Sequence, residues 1–205
     1  MNENPLLQAG MLLIGLYVAW LWWSDLKENQ KNPKGGFTQG LPGATPASPR
    51  ALWIAAAGAA VILAAETLGE IALNLSEEQT KMTVLFGLYT LVAAIIEEII
   101  FRGYIVVEGK GRAKMIAGVL AASLLFSLIH PFLWKWDDDG FALTLTPKGW
   151  FSFGAVFIGS LWFYACRLAS WNPQRSLLPC FVAHGVKNLG VFAIKLVQGF
   201  VVGLW

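Results

Sequence analysis

Long apolar runs alternate with shorter polar segments along the whole chain. Each run is long enough to cross the roughly 30 Å hydrocarbon core of a bilayer as a helix. Helices satisfy their own backbone hydrogen bonds in lipid, so apolar runs of this length favour helices over strands. The pattern predicts an all-α fold, a polytopic bundle of about six transmembrane spans, at residues 5–23, 51–75, 81–107, 115–134, 149–169 and 177–205.

The polar segments predict how the chain is organised between these spans. Residues 24–50 are rich in glycine and proline and are predicted to form a linker without a core of its own. Residues 135–148 are predicted to form a polar loop with a solvated acidic turn at 137–139. We expect residues 1–205 to form a single integral membrane domain. Its motif-bearing core would be 81–205, with the first two spans and the linker preceding it.

Composition agrees with a membrane protein and narrows its partners. Hydrophobic residues make up 56% of the 205-residue chain and charged residues 14%, whereas soluble domains carry about 25% charged residues. The net charge of +2 gives no reason to expect nucleic acid as a partner. Lysine and arginine are concentrated in the connections after the first, third and fifth spans, which favours a cytoplasmic location for these connections.

The third span contains three charged residues, Glu97, Glu98 and Arg102. Glu98 and Arg102 are four residues apart, so they share a helix face and can neutralise each other. Glu97 is rotated by about 100° from Glu98 and lacks this partner. One interpretation is a buried ion pair with a spare carboxyl group. Intramembrane ionisable residues more often have a function, which favours a site. By contrast, Glu66 and Glu70 in the second span are interpreted as the interfacial end of that helix.

The two histidines of the chain also lie in apolar spans. His130 follows Phe126 by four residues and His184 precedes Asn188 by four, so each pair shares a helix face. Depth can be counted along straight helices from the membrane face that carries the basic connections. The depths are roughly 15 Å for Glu97, 24 Å for His130 and 10 Å for His184. These depths bracket the middle of the hydrocarbon core, so we expect the side chains to converge.

Such a group of side chains can support water-dependent hydrolysis. A carboxylate and an imidazole can deprotonate a water, and a second imidazole with an amide can stabilise an oxyanion. Two histidines and a glutamate are also a zinc ligand set, so the residue types leave a metal open. Cys166 and Cys180 have neither zinc-binding nor disulfide spacing and are expected to be packing residues.

Three short motifs carry a family resemblance. Glu97-Glu98-x-x-x-Arg102, Phe126-x-x-x-His130 and His184-x-x-x-Asn188 resemble, in order, the motifs of the CPBP intramembrane protease family. This family comprises the type II CAAX prenyl endopeptidases and their prokaryotic bacteriocin-processing relatives. The resemblance covers residues 97–188 and implies a helix bundle with a water-filled chamber that cleaves peptide bonds near one membrane face.

The resemblance also implies a role for each motif residue. Glu97 would be the general base, and His130 would help to activate the water. His184 and Asn188 would stabilise the oxyanion. Glu98, Arg102 and Phe126 would support the site. No cofactor and no metal ligand is assigned, although zinc is left open.

The expected protein is therefore a small prokaryotic member in the inner membrane, acting on a membrane-anchored protein or peptide. One alternative is a non-catalytic membrane scaffold or bacteriocin-immunity protein of the same fold. Another is a proton-coupled transporter, for which the sequence lacks visible paired halves. The enzyme is favoured because every polar residue of the three motifs is present.

Overall fold

Six long helices make up most of the structure, a computed structural model that describes residues 4–31, 40–138 and 140–205. Each helix, the third together with its π-helical extension, is long and apolar enough to cross a membrane, which confirms the all-α polytopic bundle. The third helix continues without a break into a π-helix, Ile99–Tyr104. The helices are α1 Pro5–Lys31, α2 Pro49–Ala72, α3 Val84–Glu98, α4 Arg112–Ile129, α5 Pro147–Leu168 and α6 Leu178–Val197.

The first helix is longer than predicted, because the helix continues past Trp23 to Lys31. The predicted start of the linker at residue 24 is therefore wrong. Residues 24–31 contain neither glycine nor proline, so nothing in them stops a helix. The predicted breakers between Gln30 and Gly40 lie outside the described residues.

The described end of the linker packs against the protein. Ala44 is fully buried, and its carbonyl oxygen accepts a hydrogen bond from Asn29 Nδ2 at 2.9 Å. Trp22 Nε1 donates to the carbonyl oxygen of Pro42 at 3.1 Å. Trp22 and Ala44 belong to the same buried cluster as Phe163 and Leu177, and Leu41 packs against it, so the end of the linker contributes to the core. The single-domain organisation of the chain stays a prediction.

The fourth span ends at Ile129, earlier than predicted, because the sequence continues His130-Pro131. A residue before proline is disfavoured in the helical region, and His130 is extended, with φ −79° and ψ 130°. The predicted polar loop that follows contains a short antiparallel hairpin, β1 Trp134–Asp137 and β2 Gly140–Leu143. A 3₁₀ turn, Ser76–Glu78, lies between α2 and α3.

The sixth span is shorter than predicted, because α6 ends at Val197 and the chain turns at Gly199, whose φ is +80°. A positive φ favours glycine at this position. The segment after the turn runs to the start of α3, where its carbonyl oxygens accept backbone N–H groups of that helix. For example, the amide of Leu85 donates to Leu204 at 2.9 Å. The tail thus satisfies amides that a helix N-terminus leaves unpaired.

Glycines at two helix crossings allow α2 to pack closely against α5 and α6. Gly58 of α2 lies against the indole of Trp162, where a β-carbon would be 2.0 Å from a ring atom. Gly190 of α6 lies against Leu63 in the same way, because a β-carbon at Gly190 would be 2.1 Å from a methyl carbon of Leu63. Small residues at helix crossings permit such approaches in membrane bundles. As a result, α2, α5 and α6 pack tightly beside α3 and α4.

Candidate active site

A fully buried ion pair lies at the junction of α3 with its π-helical extension. Arg102 Nη1 is 3.1 Å from Glu98 Oε1, and neither side chain is exposed. The predicted pairing of these two residues is therefore confirmed. Arg102 Nη2 donates to both the hydroxyl and the carbonyl oxygen of Ser160 on α5. The Ser160 hydroxyl in turn donates to Ser123 Oγ on α4 at 3.0 Å. The pair thus ties three helices together.

Four aromatic rings enclose the guanidinium of Arg102. Its central carbon lies 4.5 Å from the ring centre of Phe126, 4.9 Å from Tyr164, 5.2 Å from Phe163 and 5.7 Å from Phe101. Each ring presents a cation–π surface to the charge. In an apolar bundle these rings replace some of the solvation that water would supply, so the cation is held in place.

The π-helix directly follows the paired glutamates. Single π-helical turns are rare in proteins, and those that do occur are often found at functional sites. Two side chains of α5 hold this segment: the Tyr164 hydroxyl lies 2.7 Å from the carbonyl oxygen of Phe101 and 3.0 Å from that of Ile105. Arg167 Nε donates to the carbonyl oxygen of Arg102 at 3.1 Å. The wide turn is therefore fixed by hydrogen bonds from a neighbouring helix.

His184 of α6 brings both glutamates into one group. Its Nδ1 is 2.8 Å from Glu98 Oε1, and its Nε2 is 3.8 Å from Glu97 Oε2. The imidazole stacks on the Phe163 ring, with centres 4.6 Å apart and planes 20° apart. Of the two carboxylates, Glu98 is fully enclosed, whereas the Glu97 side chain is 32% exposed. Of the two carboxylates, Glu97 is thus the one that the protein leaves partly uncovered.

His130 lies next to this group, on the far side of a phenyl ring. Its Nδ1 is 2.7 Å from the carbonyl oxygen of Phe126, one turn earlier. The Phe126 ring lies 4.8 Å from the His130 ring and 6.2 Å from that of His184. Among the described residues, no hydrogen bond connects His130 to either glutamate. The structure therefore gathers Glu97, Glu98, Arg102 and His184, with Phe126 between the two histidines.

Asn188 lies one turn beyond His184 on α6. Its Nδ2 donates to the carbonyl oxygen of Thr90 on α3 at 3.0 Å. The carboxamide thus contacts the same helix that carries the glutamates, two turns before Glu97. Its hydrogen bond goes to the backbone of that helix.

Sequence reasoning missed several polar partners. The serines Ser123 and Ser160 were hidden in apolar spans, although small polar residues often join membrane helices. The interpretation of Glu66 and Glu70 as an interfacial helix end is incomplete, because Glu66 pairs with Lys187 of α6 and Glu70 pairs with Lys148 of α5. A lone lysine between His184 and Asn188 was the available signal that a counter-charge is required.

The geometry of the two histidines and Glu97 decides whether they can share a metal ion. Within the described ranges, no three side chains of His, Cys, Asp or Glu converge where they could hold an ion. A catalytic zinc site usually has three protein ligands, and here His130 lies apart from Glu97 and His184. The residues as placed do not fit a zinc ion. Cys166 and Cys180 are buried free thiols.

Comparison with curated proteins gives no match, and neither does comparison with solved structures. A protein-family model, type II CAAX prenyl endopeptidase Rce1-like, matches residues 79–190, which is more than half of the chain. The matched segment runs from before α3 into α6 and contains Glu97, Glu98, His130, His184 and Asn188. The protein therefore belongs to the Rce1-like family of type II CAAX prenyl endopeptidases and is an integral, multi-pass membrane protein.

Proposed function

We propose that the protein is an intramembrane endopeptidase that hydrolyses a peptide bond of a membrane-associated protein or peptide with water activated by Glu97. The observation that carries this proposal is the arrangement of the two glutamates around His184. Both carboxylates face one imidazole, yet only Glu97 is accessible. From the resemblance, we also propose that the protein resides in the inner membrane of a prokaryote.

The two glutamates would have different tasks because they have different partners. Glu98 Oε1 accepts from both Arg102 and His184, so this carboxylate is occupied in positioning them. Glu97 Oε2 is 3.8 Å from His184 Nε2, longer than a hydrogen bond. The accessible carboxylate can therefore take a proton from a water that attacks the peptide carbonyl.

His184 would serve the oxyanion. The imidazole is held at its Nδ1 by Glu98 Oε1, which leaves its Nε2 on the side of Glu97, where the tetrahedral intermediate would form. An Nε2–H group in this position would donate to the oxyanion. An N–H donor aimed at a developing oxyanion is a large source of rate enhancement.

His130 and Asn188 would complete the site when a substrate binds. Asn188 has a second amide hydrogen besides the one it gives to Thr90, and a substrate carbonyl could compete for either of them. His130 would turn toward the water from its place beside Phe126. Catalytic hydrogen bonds are often long in free enzymes and tighten in the complex, so the distances do not argue against these roles.

Cleavage of defined peptides tests the proposal. The purified protein, reconstituted in liposomes, would be given peptides with a C-terminal C-a-a-X tail, either prenylated at the cysteine or unmodified. We expect a cleaved product by mass spectrometry with wild type and none with Glu97→Gln of equal thermal midpoint. If neither peptide is cleaved and the membrane proteome is the same with and without the protein, the non-catalytic scaffold is favoured.

Chelation separates a metal-free reaction from a metal-dependent one. We expect turnover to survive dialysis against a strong chelator, because Glu97 and the histidines can activate water unaided. The control is a known zinc peptidase dialysed in parallel. Loss of turnover that added zinc restores would contradict the metal-free mechanism while leaving the peptidase activity itself established.

A further inference from the structure

The hairpin between α4 and α5 has two chemically different faces. In its antiparallel register Trp134 is opposite Leu143, and Trp136 is opposite Phe141. Side chains alternate between the faces of a strand, so these four apolar residues share one face. The other face carries Lys135 and Asp137, whose ion pair measures 2.6 Å. The ribbon is therefore amphipathic across its width.

The apolar face is uncovered by the protein. Trp136 is 75% exposed, Leu143 65% and Phe141 59%. Stacking of Phe141 with Trp134, 6.3 Å between ring centres, keeps the aromatic side chains together. A two-stranded hairpin is marginally stable in water, so a ribbon with this face exposed needs another surface to cover it. The missing cover must be apolar over the area of the three exposed side chains, Trp136, Phe141 and Leu143.

The position of the hairpin indicates what that surface is. It connects the end of α4 to the start of α5, so six alternating spans would put it at the membrane face opposite the basic connections after the first, third and fifth spans. Apolar side chains are also exposed beside the hairpin, at the end of α4 and around the start of α5, namely Leu128, Ile129, Leu145 and Trp150. The hairpin therefore adjoins exposed apolar surface of the membrane helices.

We propose that the aromatic face of this hairpin binds the headgroup–acyl boundary of the lipid bilayer and acts as an interfacial anchor. Tryptophan is enriched at this depth because its apolar ring can contact lipid while its N–H group remains hydrogen-bonded. The lysine–aspartate face points to water in this arrangement. An occupant with charged groups would find no partner on the aromatic face, which carries no ionisable side chain.

The anchor is connected to the segment that carries His130. Trp134 Nε1 donates to the carbonyl oxygen of Leu128 at 2.7 Å, and the Phe132 ring stacks on the His130 ring with planes 10° apart. Gly149 of α5 approaches Phe132 so closely that a β-carbon would lie 2.4 Å from its carbonyl oxygen. The hairpin thus fixes the depth of His130, and the importance of that depth for cleavage rests on the proposed function.

Single cysteines on neighbouring residues test the anchor. Trp136→Cys and Lys135→Cys would each carry an environment-sensitive fluorophore, in protein reconstituted in phosphatidylcholine–phosphatidylglycerol liposomes. Wild type is the labelling control, because Cys166 and Cys180 have no exposed surface. We expect the label at 136 to emit at shorter wavelength, to lose fluorescence with a lipid-borne quencher and to be spared by aqueous iodide. The label at 135 should behave in the opposite way.

The second pair Phe141→Cys and Ala142→Cys repeats the comparison on the other strand, in case either first variant does not fold. Equal quenching by iodide on both faces would overturn the anchor. Protection of the aromatic face from both quenchers, lost when the protein is diluted into more lipid, would assign that face to a second copy of the chain and also overturn it. These readouts do not depend on cleavage, so the anchor can fail while the peptidase stands.

Discussion

Two ion pairs of this bundle, Glu98 with Arg102 and Glu66 with Lys187, differ in how the protein replaces the water around them. Glu98 and Arg102 have no exposed side-chain surface, yet they share contacts with His184, Ser160 and four aromatic rings. Glu66 and Lys187 have side chains 17% and 10% exposed and pair across α2 and α6. Removing charges from water is costly unless other groups replace it. The first pair offsets that cost through its many partners, although Glu98 Oε2 and Arg102 Nε have no hydrogen-bond partner among the described residues. The second pair offsets it through partial exposure.

The comparison indicates different purposes for the two pairs. The first lies wholly within the segment that matches the family model, beside the candidate base. The second connects α6 to α2, a helix that precedes the matched segment, so it fixes the place of this helix against the site. We therefore expect changes near the first pair to affect chemistry, and changes in the second to affect mainly stability.

The largest expected effect is that of Glu97→Gln, which removes the proposed base and keeps its shape. We expect cleavage to fall by up to about 10⁴-fold, the upper range for one general base, with an unchanged thermal midpoint. The measurement is a cleavage rate in liposomes beside thermal unfolding in detergent. A folded variant with more than a tenth of wild-type turnover would remove Glu97 from this role.

Glu98→Gln should lower the stability of the fold rather than act on the reaction directly. Glu98→Gln leaves Arg102 as a buried cation without a carboxylate, which costs roughly 3–5 kcal/mol when a buried pair is broken. We expect a lower yield of monodisperse protein and a lower thermal midpoint. The adjacent Glu97→Gln is the matched control. Equal stability losses in the two variants would contradict the division of labour between the glutamates.

The sequence predicts those features of the fold that depend only on the spacing of residues within one segment. Six spans follow from apolar length, and the Glu98–Arg102 contact follows from a separation of four residues on a helix. Contacts of His184 with Glu98, or of Lys187 with Glu66, depend on how α3, α2 and α6 are rotated against one another. A single sequence does not encode that rotation in any spacing, so these partners could not be assigned.

Two further differences have local causes that spacing arguments overlooked. Counting along a straight helix misplaces His130, because this residue precedes a proline and lies beyond the helix end. The acidic turn predicts a loop after α4, although Trp134-Lys135-Trp136-Asp137 alternates with the two-residue period of a strand. In the third helix, no pattern of residues 99–104 predicts π-helical over α-helical turns.

Asn188→Ala should have a smaller effect than either glutamate substitution. If Asn188 helps to hold the oxyanion, turnover should fall by about 10²–10³-fold, the usual cost of one such donor. The loss should appear in kcat with little change in KM, because the contact strengthens in the transition state. Loss of the hydrogen bond to Thr90 is a structural alternative. It would lower the thermal midpoint in parallel with turnover, so both quantities are measured on the same preparation.

The smallest expected effect belongs to the pair outside the proposed chemistry. Glu66→Gln leaves the Lys187 ammonium, which is largely buried, with a neutral partner. We expect a loss of about 1.5–3 kcal/mol in the free energy of unfolding, the range for a hydrogen bond to a charged group. Turnover of the folded fraction should stay within a few-fold of wild type, because His184 and Glu98 keep their contact.

The double variant Glu66→Leu with Lys187→Met separates two contributions to the free energy of unfolding. One is the net contribution of the ion pair, and the other is the penalty of leaving one buried charge without its partner. Replacing both charges by apolar side chains of similar size is often neutral or stabilising, whereas removing one leaves an uncompensated charge. We therefore expect the double variant to regain the stability that Glu66→Gln loses, with cleavage kept. If the folded double variant instead lost kcat as severely as Asn188→Ala, Lys187 would contribute to the reaction itself. The two ion pairs would then differ in their solvation, without differing in purpose.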